Sequence, residues 1–479
     1  MRLRFFSFWV LLLLALTPLR AATDTALQTA LAQSPQGAQV ALLVRPLDGG
    51  ALQAEHNSDL LLPPASTQKL LTALASELQL GADYRFKTRL LGQGRVKNGS
   101  WQGDLKLLLS GAPDLSRAQL GELLDQLQAK GITRIDGDLL LDGRVFSGYE
   151  RARGWPWDNL GVCYSAPASA FTIEHNCVAA SLDTKVNGNK ARLFVPEHQP
   201  VAAAADVELV SASEKQESLC DLRLERGPGN RYQLSGCITK AQRRWPLNFA
   251  VNDTAAYLGD ILQQELHQRG ILLAGTTRRL EQSASGEQWQ TLAQVSSAPL
   301  SSLLEEVLQH SDNLYADNLL KTLGAQRSGI GSFEVGAREV IQILREQAGL
   351  ELGVTTLKDG SGLSRDNQLS ARQLAAVLSF LNRNPQMAAY QALPVAGQNG
   401  TLKYRRSLRE APLSGTIRAK SGTVNGSSNL AGFLQAASGK RYLFVLMVSG
   451  IARGDDPAEM RRARAEFERN LLVTIHNRG

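Results

Sequence analysis

Apolar residues along this chain alternate between strand-length runs and stripes at helical spacing. A short helix is predicted near residues 25–32, followed by a strand-like run over residues 38–44. Asp48-Gly49-Gly50 supplies a hairpin turn, and residues 51–56 read as the returning strand. Pro63 and Pro64 cannot extend a helix from upstream but suit the entrance of one. Leu70, Leu71 and Leu74 then recur at helical spacing, which predicts a buried helix opening near Ser66. Farther on, residues 101–109 and 135–141 read as strands around an amphipathic helix at 119–130. Residues 182–249 read as short strands broken by Gly, Pro and Asn, and a helix over 255–269 ends at Gly270.

From Pro299 the helical period returns, with Leu300, Leu303, Leu304, Val307 and Leu308 in one stripe. Helices follow over 335–347 and 371–382, then strands over 416–420, 429–434 and 441–448. A last helix over 458–475 sets Met460, Phe467, Leu471 and Ile475 on one face. Its polar face mixes both charge signs, which favours core packing over a membrane anchor. The chain thus begins and ends with strands and helices able to share one sheet, and its middle is an insertion. That is an α+β architecture, an antiparallel sheet flanked by helices.

Composition adds a compartment. Arg2 and Arg4 precede an apolar run over residues 5–16, and Ala21 and Ala22 follow, the layout of a cleaved secretory leader over 1–22. The exported chain is then expected in the periplasm. Its four cysteines, Cys163, Cys177, Cys220 and Cys237, form an even set suited to two disulfides. Three pairings exist; the sequence-local Cys163–Cys177 and Cys220–Cys237 are favoured, the second closing a hairpin around Gly227-Pro228-Gly229-Asn230. No Cys-x-x-Cys pair and no ligand-spaced histidine cluster argues for a metal. The formal charge of +7 falls to +4 without Arg2, Arg4 and Arg20 of the leader. That balance implies a weak peripheral attraction to anionic membrane surfaces and gives no case for nucleic acid.

Three polar clusters carry candidate chemistry. Ser66 and Lys69 are three residues apart on the opening turn of a helix, so their side chains share a face. A buried lysine whose charged form is disfavoured can take the serine's proton, and the helix N-terminus favours a developing oxyanion. Ser311-Asp312-Asn313 closes the apolar stripe that starts at Leu300, and Lys420-Ser421-Gly422-Thr423 ends a strand. His310, beside Ser311, cannot face it from an adjacent helical position and reads as solvent-facing. Gly439-Lys440 lacks phosphate-loop spacing. Trp155 and Trp157 read equally as core or as a ligand platform.

In this order and context the three clusters resemble the signatures of penicilloyl-serine transferases, the grouping of penicillin-binding proteins and serine β-lactamases. The 245 positions between Ser66 and Ser311, the Trp155–Tyr164 segment, and Asp359-Gly360-Ser361-Gly362-Leu363-Ser364-Arg365 narrow it further. With them the whole exported chain resembles the class C low-molecular-mass penicillin-binding proteins, D-alanyl-D-alanine carboxypeptidase/endopeptidases of the penicillin-binding protein 4 type. The resemblance implies a catalytic domain over 23–82 and 290–479, an inserted domain over 83–100 and 156–289, and a third nested over 101–155. It implies hydrolysis of D-Ala–D-Ala or D-amino-acid cross-link bonds in peptidoglycan stems, covalent inhibition by β-lactams, and no cofactor.

By the same resemblance Ser66 is the nucleophile, Lys69 its base, Ser311 the proton relay to the leaving amine, and Asn313 the group that orients Lys69. Lys420 would seat a substrate carboxylate, with Ser421 replacing the usual threonine, Gly422 admitting the substrate backbone, and the N–H groups of Ser66 and Thr423 holding the oxyanion. A carboxylate commonly stands five residues before an aromatic in this family. Counted from Tyr164 that position is Asn159, and Asp158 is its neighbour; on a strand the two would face opposite ways. Arg365 and Asn425 match positions flanking the pocket. The alternatives are a serine β-lactamase, against which the long insertion argues, or a non-catalytic peptidoglycan-binding protein, against which the retained Ser66 and Lys69 argue.

Overall fold

A computed structural model describes residues 25–48, 52–241, 243–282, 288–451 and 457–479. The leader expected over 1–22 and the turn glycines Gly49 and Gly50 lie outside the described residues. The first sheet joins both ends of the chain. Its strands run Ile417–Val424, Ser427–Gln435, Arg441–Ser449, Gln39–Pro46 and Ala54–His56 in spatial order, all antiparallel. The central strands are buried on both faces, which is why Gln39–Pro46 reads as a continuous apolar run rather than an alternating one.

The alternation is still there, hidden by burial. Leu42 and Val44 pack beside Leu27 of the Thr25–Ala32 helix and Phe467, Leu471 and Ile475 of the Pro457–Arg478 helix. Met460, expected on that apolar face, stays half-buried outside the cluster. Ala41 and Leu43 point the other way, into a core shared with Leu70, Leu71 and Leu74 of the Lys69–Leu80 helix. The helices Asn313–Ser328, Phe333–Ala348 and Ala371–Arg383 complete that layer. No described helix is long and apolar enough to cross a membrane.

Beneath the Pro457–Arg478 helix lies a charge pair: Arg405 Nε donates to Glu468 Oε1 at 2.6 Å, its Nη2 donates to Oε2, and Ser407 Oγ donates to the same carboxylate. The Glu468 side chain is 5% exposed. Glu468→Ala should cost about 3 kcal/mol in urea unfolding, because Arg405 would be left buried without its counter-charge.

The insertion departs from the expected partition. Strand Ser100–Leu108 pairs antiparallel with Lys87–Lys97 and parallel with Leu139–Asp142, and Gln290–Ser296, Leu272–Leu273 and Thr277–Arg279 join the same sheet. Residues 101–155 are therefore woven into the sheet that 83–100 begins and are not a nested unit. The separately paired part is 177–250, where Cys177–Asp183, Arg192–Phe194 and Arg244–Ala250 form one sheet. Ala202–Val210, Arg223–Arg226 and Arg231–Thr239 form another, and Leu182, Val207, Leu234 and Ile238 make a small core of their own. Both expected disulfides are present, Cys163–Cys177 with Cα atoms 5.3 Å apart and Cys220–Cys237 with 5.8 Å.

Candidate active site

The turn that carries Ser66 is tighter than the pattern alone predicts. Residues Ala65–Gln68 form a 3-10 turn that runs into the Lys69–Leu80 α-helix, and Ala65 itself has φ 48°. A non-glycine residue there stores strain, and the surroundings hold it. Asn429 Nδ2 donates to the carbonyls of Pro63 at 2.9 Å and Pro64 at 2.7 Å, tying the turn to the central sheet. Two glycines make room for it. A Cβ on Gly422 would lie 3.0 Å from Ser66 N and 2.8 Å from Pro64 O, and one on Gly362 would lie 1.9 Å from Ala65 O. Gly422 thus clears space for the backbone of Ser66.

Lys69 is fully buried. Its Nζ lies 2.9 Å from Ser66 Oγ, 2.6 Å from Asn313 Oδ1 and 2.8 Å from Ser361 O. Two of these partners are fixed acceptors. A neutral amine donating to both keeps its lone pair for the Ser66 hydroxyl proton. Burial pushes the Lys69 ammonium down to about 8, against the pull of Asp317, Asp359 and Asp312 in the opposite direction. Asp317 Oδ1 accepts the N–H groups of Gly360 at 2.7 Å and Ser361 at 2.9 Å, so it fixes the carbonyl that Lys69 uses. Burial, with Asp359 beside it, pushes the Asp317 carboxyl well up. Asp359 accepts from Gly362 N at 2.8 Å, Ser364 N at 2.7 Å, Asn367 Nδ2 at 2.9 Å and Trp155 Nε1 at 2.8 Å. It holds the 359–365 loop in shape beside Ser66.

The second cluster ends a helix in an unusual way. Leu300–Glu305 widens into a π-turn over Glu306–His310, and Ser311 follows in the left-handed region with φ 61°. Asp312 then caps the next helix, accepting from Tyr315 N at 3.0 Å. This break turns Ser311 and Asn313 toward the same groove, while His310 is exposed. Asn313 Nδ2 donates to Tyr164 O at 2.7 Å.

Lys420, on Ile417–Val424, is fully buried and donates to Ser311 Oγ and Ser421 O, both at 2.9 Å. Burial, with Lys69 and Arg405 nearby, pushes its ammonium well below the usual lysine range. It therefore stands behind Ser311 and not on the groove surface, where a substrate carboxylate would meet it directly. Ser421 Oγ is paired with Thr401 Oγ1 at 2.8 Å.

A groove of about 780 Å³ runs over these clusters, lined by Ser66, Ser311, Asn313, Gly362, Thr423 and Asn425, with Asp158, Asn159, Tyr164 and Arg365 at its far side. Trp157–Asn159 is a 3-10 turn, so the alternation of a strand does not apply there. Asp158 and Asn159 both line the groove. Tyr164 senses both charges: burial pushes its phenol up, Asp158 adds to that, and Arg365 opposes it. Trp155 is core, whereas Trp157 is 84% exposed at the rim. Sequence reasoning missed Asp317 and Asn429 as supports, because both act on backbone groups far away in the chain.

A family model for the D-Ala-D-Ala carboxypeptidase 3 (S13) family matches residues 23–471. The D-alanyl-D-alanine carboxypeptidase DacB of Haemophilus influenzae is 35% identical over 446 residues, 92% of each chain. The D-alanyl-D-alanine carboxypeptidase of Actinomadura sp. strain R39 is 29% identical, over 82% of this chain and 74% of that one. The crystal structure of penicillin-binding protein 4 from Haemophilus influenzae superposes with a TM-score of 0.88 at 34% identity, covering 94% of this chain and 99% of that one.

Proposed function

Because the chain belongs to the D-Ala-D-Ala carboxypeptidase 3 (S13) family, we propose that its reaction runs through an acyl-enzyme on Ser66. The enzyme is a serine-type D-Ala-D-Ala carboxypeptidase, and the same acyl-enzyme serves cross-link endopeptidase cleavage. The observation that carries the residue assignment is the Lys69 Nζ seat, 2.9 Å from Ser66 Oγ and held by two fixed acceptors.

In acylation, Ser66 Oγ attacks the carbonyl of the penultimate D-alanine as Lys69 Nζ accepts its proton. The oxyanion lies between the N–H groups of Ser66 and Thr423 at a helix start and a strand end. The leaving amine takes its proton from Ser311 Oγ, which is resupplied through Lys420 and Lys69. The C–N bond breaks as the terminal D-alanine departs. Water then attacks the ester and gives a proton to Lys69, which returns it to Ser66 Oγ as the ester C–O bond breaks and the shortened stem leaves. Arg365 is the cation placed on the groove surface, so it is our choice for substrate carboxylates. We place the mature enzyme in the periplasm, which the two disulfides support.

The test is intact-mass spectrometry of the mature protein with benzylpenicillin, then digestion to locate the adduct. One stable adduct on Ser66 is expected; rapid turnover without an adduct would move the reading to a β-lactamase. A β-lactam complex is known for the Haemophilus influenzae penicillin-binding protein 4.

Asp158 lies exposed in the groove, free to meet an amine on the stem's diamino acid. Asp158→Asn should raise KM about tenfold for stems with a free side-chain amine and leave acetylated stems unchanged, as steady-state kinetics on both would record.

A further inference from the structure

A second groove, of about 730 Å³, lies on the other side of the 148–157 strap from the active site. Its volume is close to the 780 Å³ of the catalytic groove, so it can take a ligand of similar size. Four cations, Arg151, Arg153, Arg338 and Lys358, line it against a single carboxylate, Glu334. Glu334 lies 3.7 Å from Arg153 with both side chains over 70% exposed, so it offsets little of that charge. Arg338 and Lys358 are exposed and have no ion pair among the described residues. Arg151 donates from Nη2 to Val251 O at 2.9 Å, while its buried Nε has no hydrogen-bond partner among them. Between the cations the groove wall is apolar, with Phe333, Ile341 and Leu357.

Small apolar surface rimmed by positive charge suits a ligand of alternating methyl groups and carboxylates. That is the chemistry of a peptide stem ending in D-alanine, and the substrate is a polymer in which such stems recur. We propose that this groove binds a second carboxylate-bearing stem of the same peptidoglycan while the first is being cut. The inference rests on the peptidoglycan reading above. Its advantage is avidity: a strand held at two points raises the local concentration of scissile bonds at Ser66.

The strap links the two grooves rigidly. Ser364 Oγ donates to Arg153 O at 2.7 Å, and Arg365 N donates to Gly154 O at 3.2 Å. Phe333 meets Trp155 edge-on at 6.2 Å, and Trp155 in turn holds Asp359. One face of the strap therefore presents Arg153 to the second groove, and its hydrogen bonds on the other side anchor Arg365 in the first.

The experiment uses mature protein whose Ser66 has been acylated with benzylpenicillin, which closes the catalytic groove. Equilibrium dialysis with a soluble stem tetrapeptide should still find one bound peptide per chain at millimolar concentration. The double variant Arg338→Glu/Lys358→Glu should lose it. Unacylated, that variant should hydrolyse a small D-Ala-D-Ala peptide within about twofold of the parent rate but degrade intact sacculi at least about tenfold more slowly. No peptide on the acylated parent, equal binding by the variant, or equal losses on both substrates would each overturn the proposal. Failure of Ser66 to acylate would instead tell against the enzymatic reading itself.

Discussion

Ser66→Ala should abolish both hydrolysis of D-Ala-D-Ala peptides and covalent labelling by penicillin. The loss in kcat should be on the order of 10⁶-fold, the scale seen when a serine hydrolase loses its nucleophile. Stability should barely change, since the side chain is half-buried and its hydroxyl has a single partner among the described residues, Lys69. Binding of substrate without reaction should survive, because the groove walls at Asp158, Tyr164 and Arg365 are untouched. The measurement is mass spectrometry of the variant after long exposure to benzylpenicillin, beside steady-state kinetics. The neighbouring hydroxyls offer no substitute. Ser311 Oγ is held by Lys420 and Ser421 Oγ by Thr401, whereas the Lys69 amine bonds to Ser66, Asn313 and Ser361. An adduct on either serine in the variant would refute the assignment of Ser66.

Much of this site is legible in the sequence because its reactive pairs are local. Ser66 and Lys69 sit one helical turn apart, so their spacing already states that the side chains meet. Ser311 and Asn313 are separated by one residue, and what spacing does not reveal is the π-turn and left-handed Ser311 that aim both at one groove. The supports are a different matter. Asp317 looks like any polar position on a helix, yet it is fully buried and fixes the Ser361 carbonyl. Asn429 lies inside a strand whose pattern says only that it is buried, and its partners Pro63 and Pro64 are more than 360 positions away. Such contacts are set by how the two ends of the chain close into one sheet, and no local pattern encodes them.

The same limit explains the insertion. A hairpin such as Arg223–Arg226 with Arg231–Thr239 is announced by its turn. The parallel pairing of Ser100–Leu108 with Leu139–Asp142 has no turn to announce it. The partition that sets 101–155 apart comes from the family resemblance and the segment's own periodicity, and no local signal corrects it. The terminal sheet is easier to read, because strands such as Gln39–Pro46 and Arg441–Ser449 are long apolar runs and the hairpins joining its last three strands are short.

Lys69→Ala should leave Ser66 in place but slow its acylation by roughly 10²–10⁴-fold at neutral pH, the range general base catalysis supplies. The pH dependence separates this role from a purely structural one. In the parent, burial lowers the Lys69 ammonium to about 8, so its neutral, proton-accepting form grows as pH rises through that value. At pH 7 only about a tenth of the amine is free, and above pH 9 nearly all of it is. The acylation rate should therefore climb about tenfold between pH 6 and 7, bend near 8, and level off beyond, provided the fold is intact throughout. Lys69→Ala should lose that bend along with the rate. Lys69→Arg makes the sharper control. A guanidinium preserves positive charge and can still donate to Asn313 and Ser361, but it stays protonated across the whole range and has no lone pair to offer Ser66. If charge at this position were what activates the serine, the arginine variant would keep most of the rate. Stopped-flow acylation with a chromogenic β-lactam from pH 6 to 10 should instead find it as slow as the alanine variant and without the bend near 8. A fast Lys69→Arg enzyme, or an unchanged bend in either variant, would move the base away from Lys69.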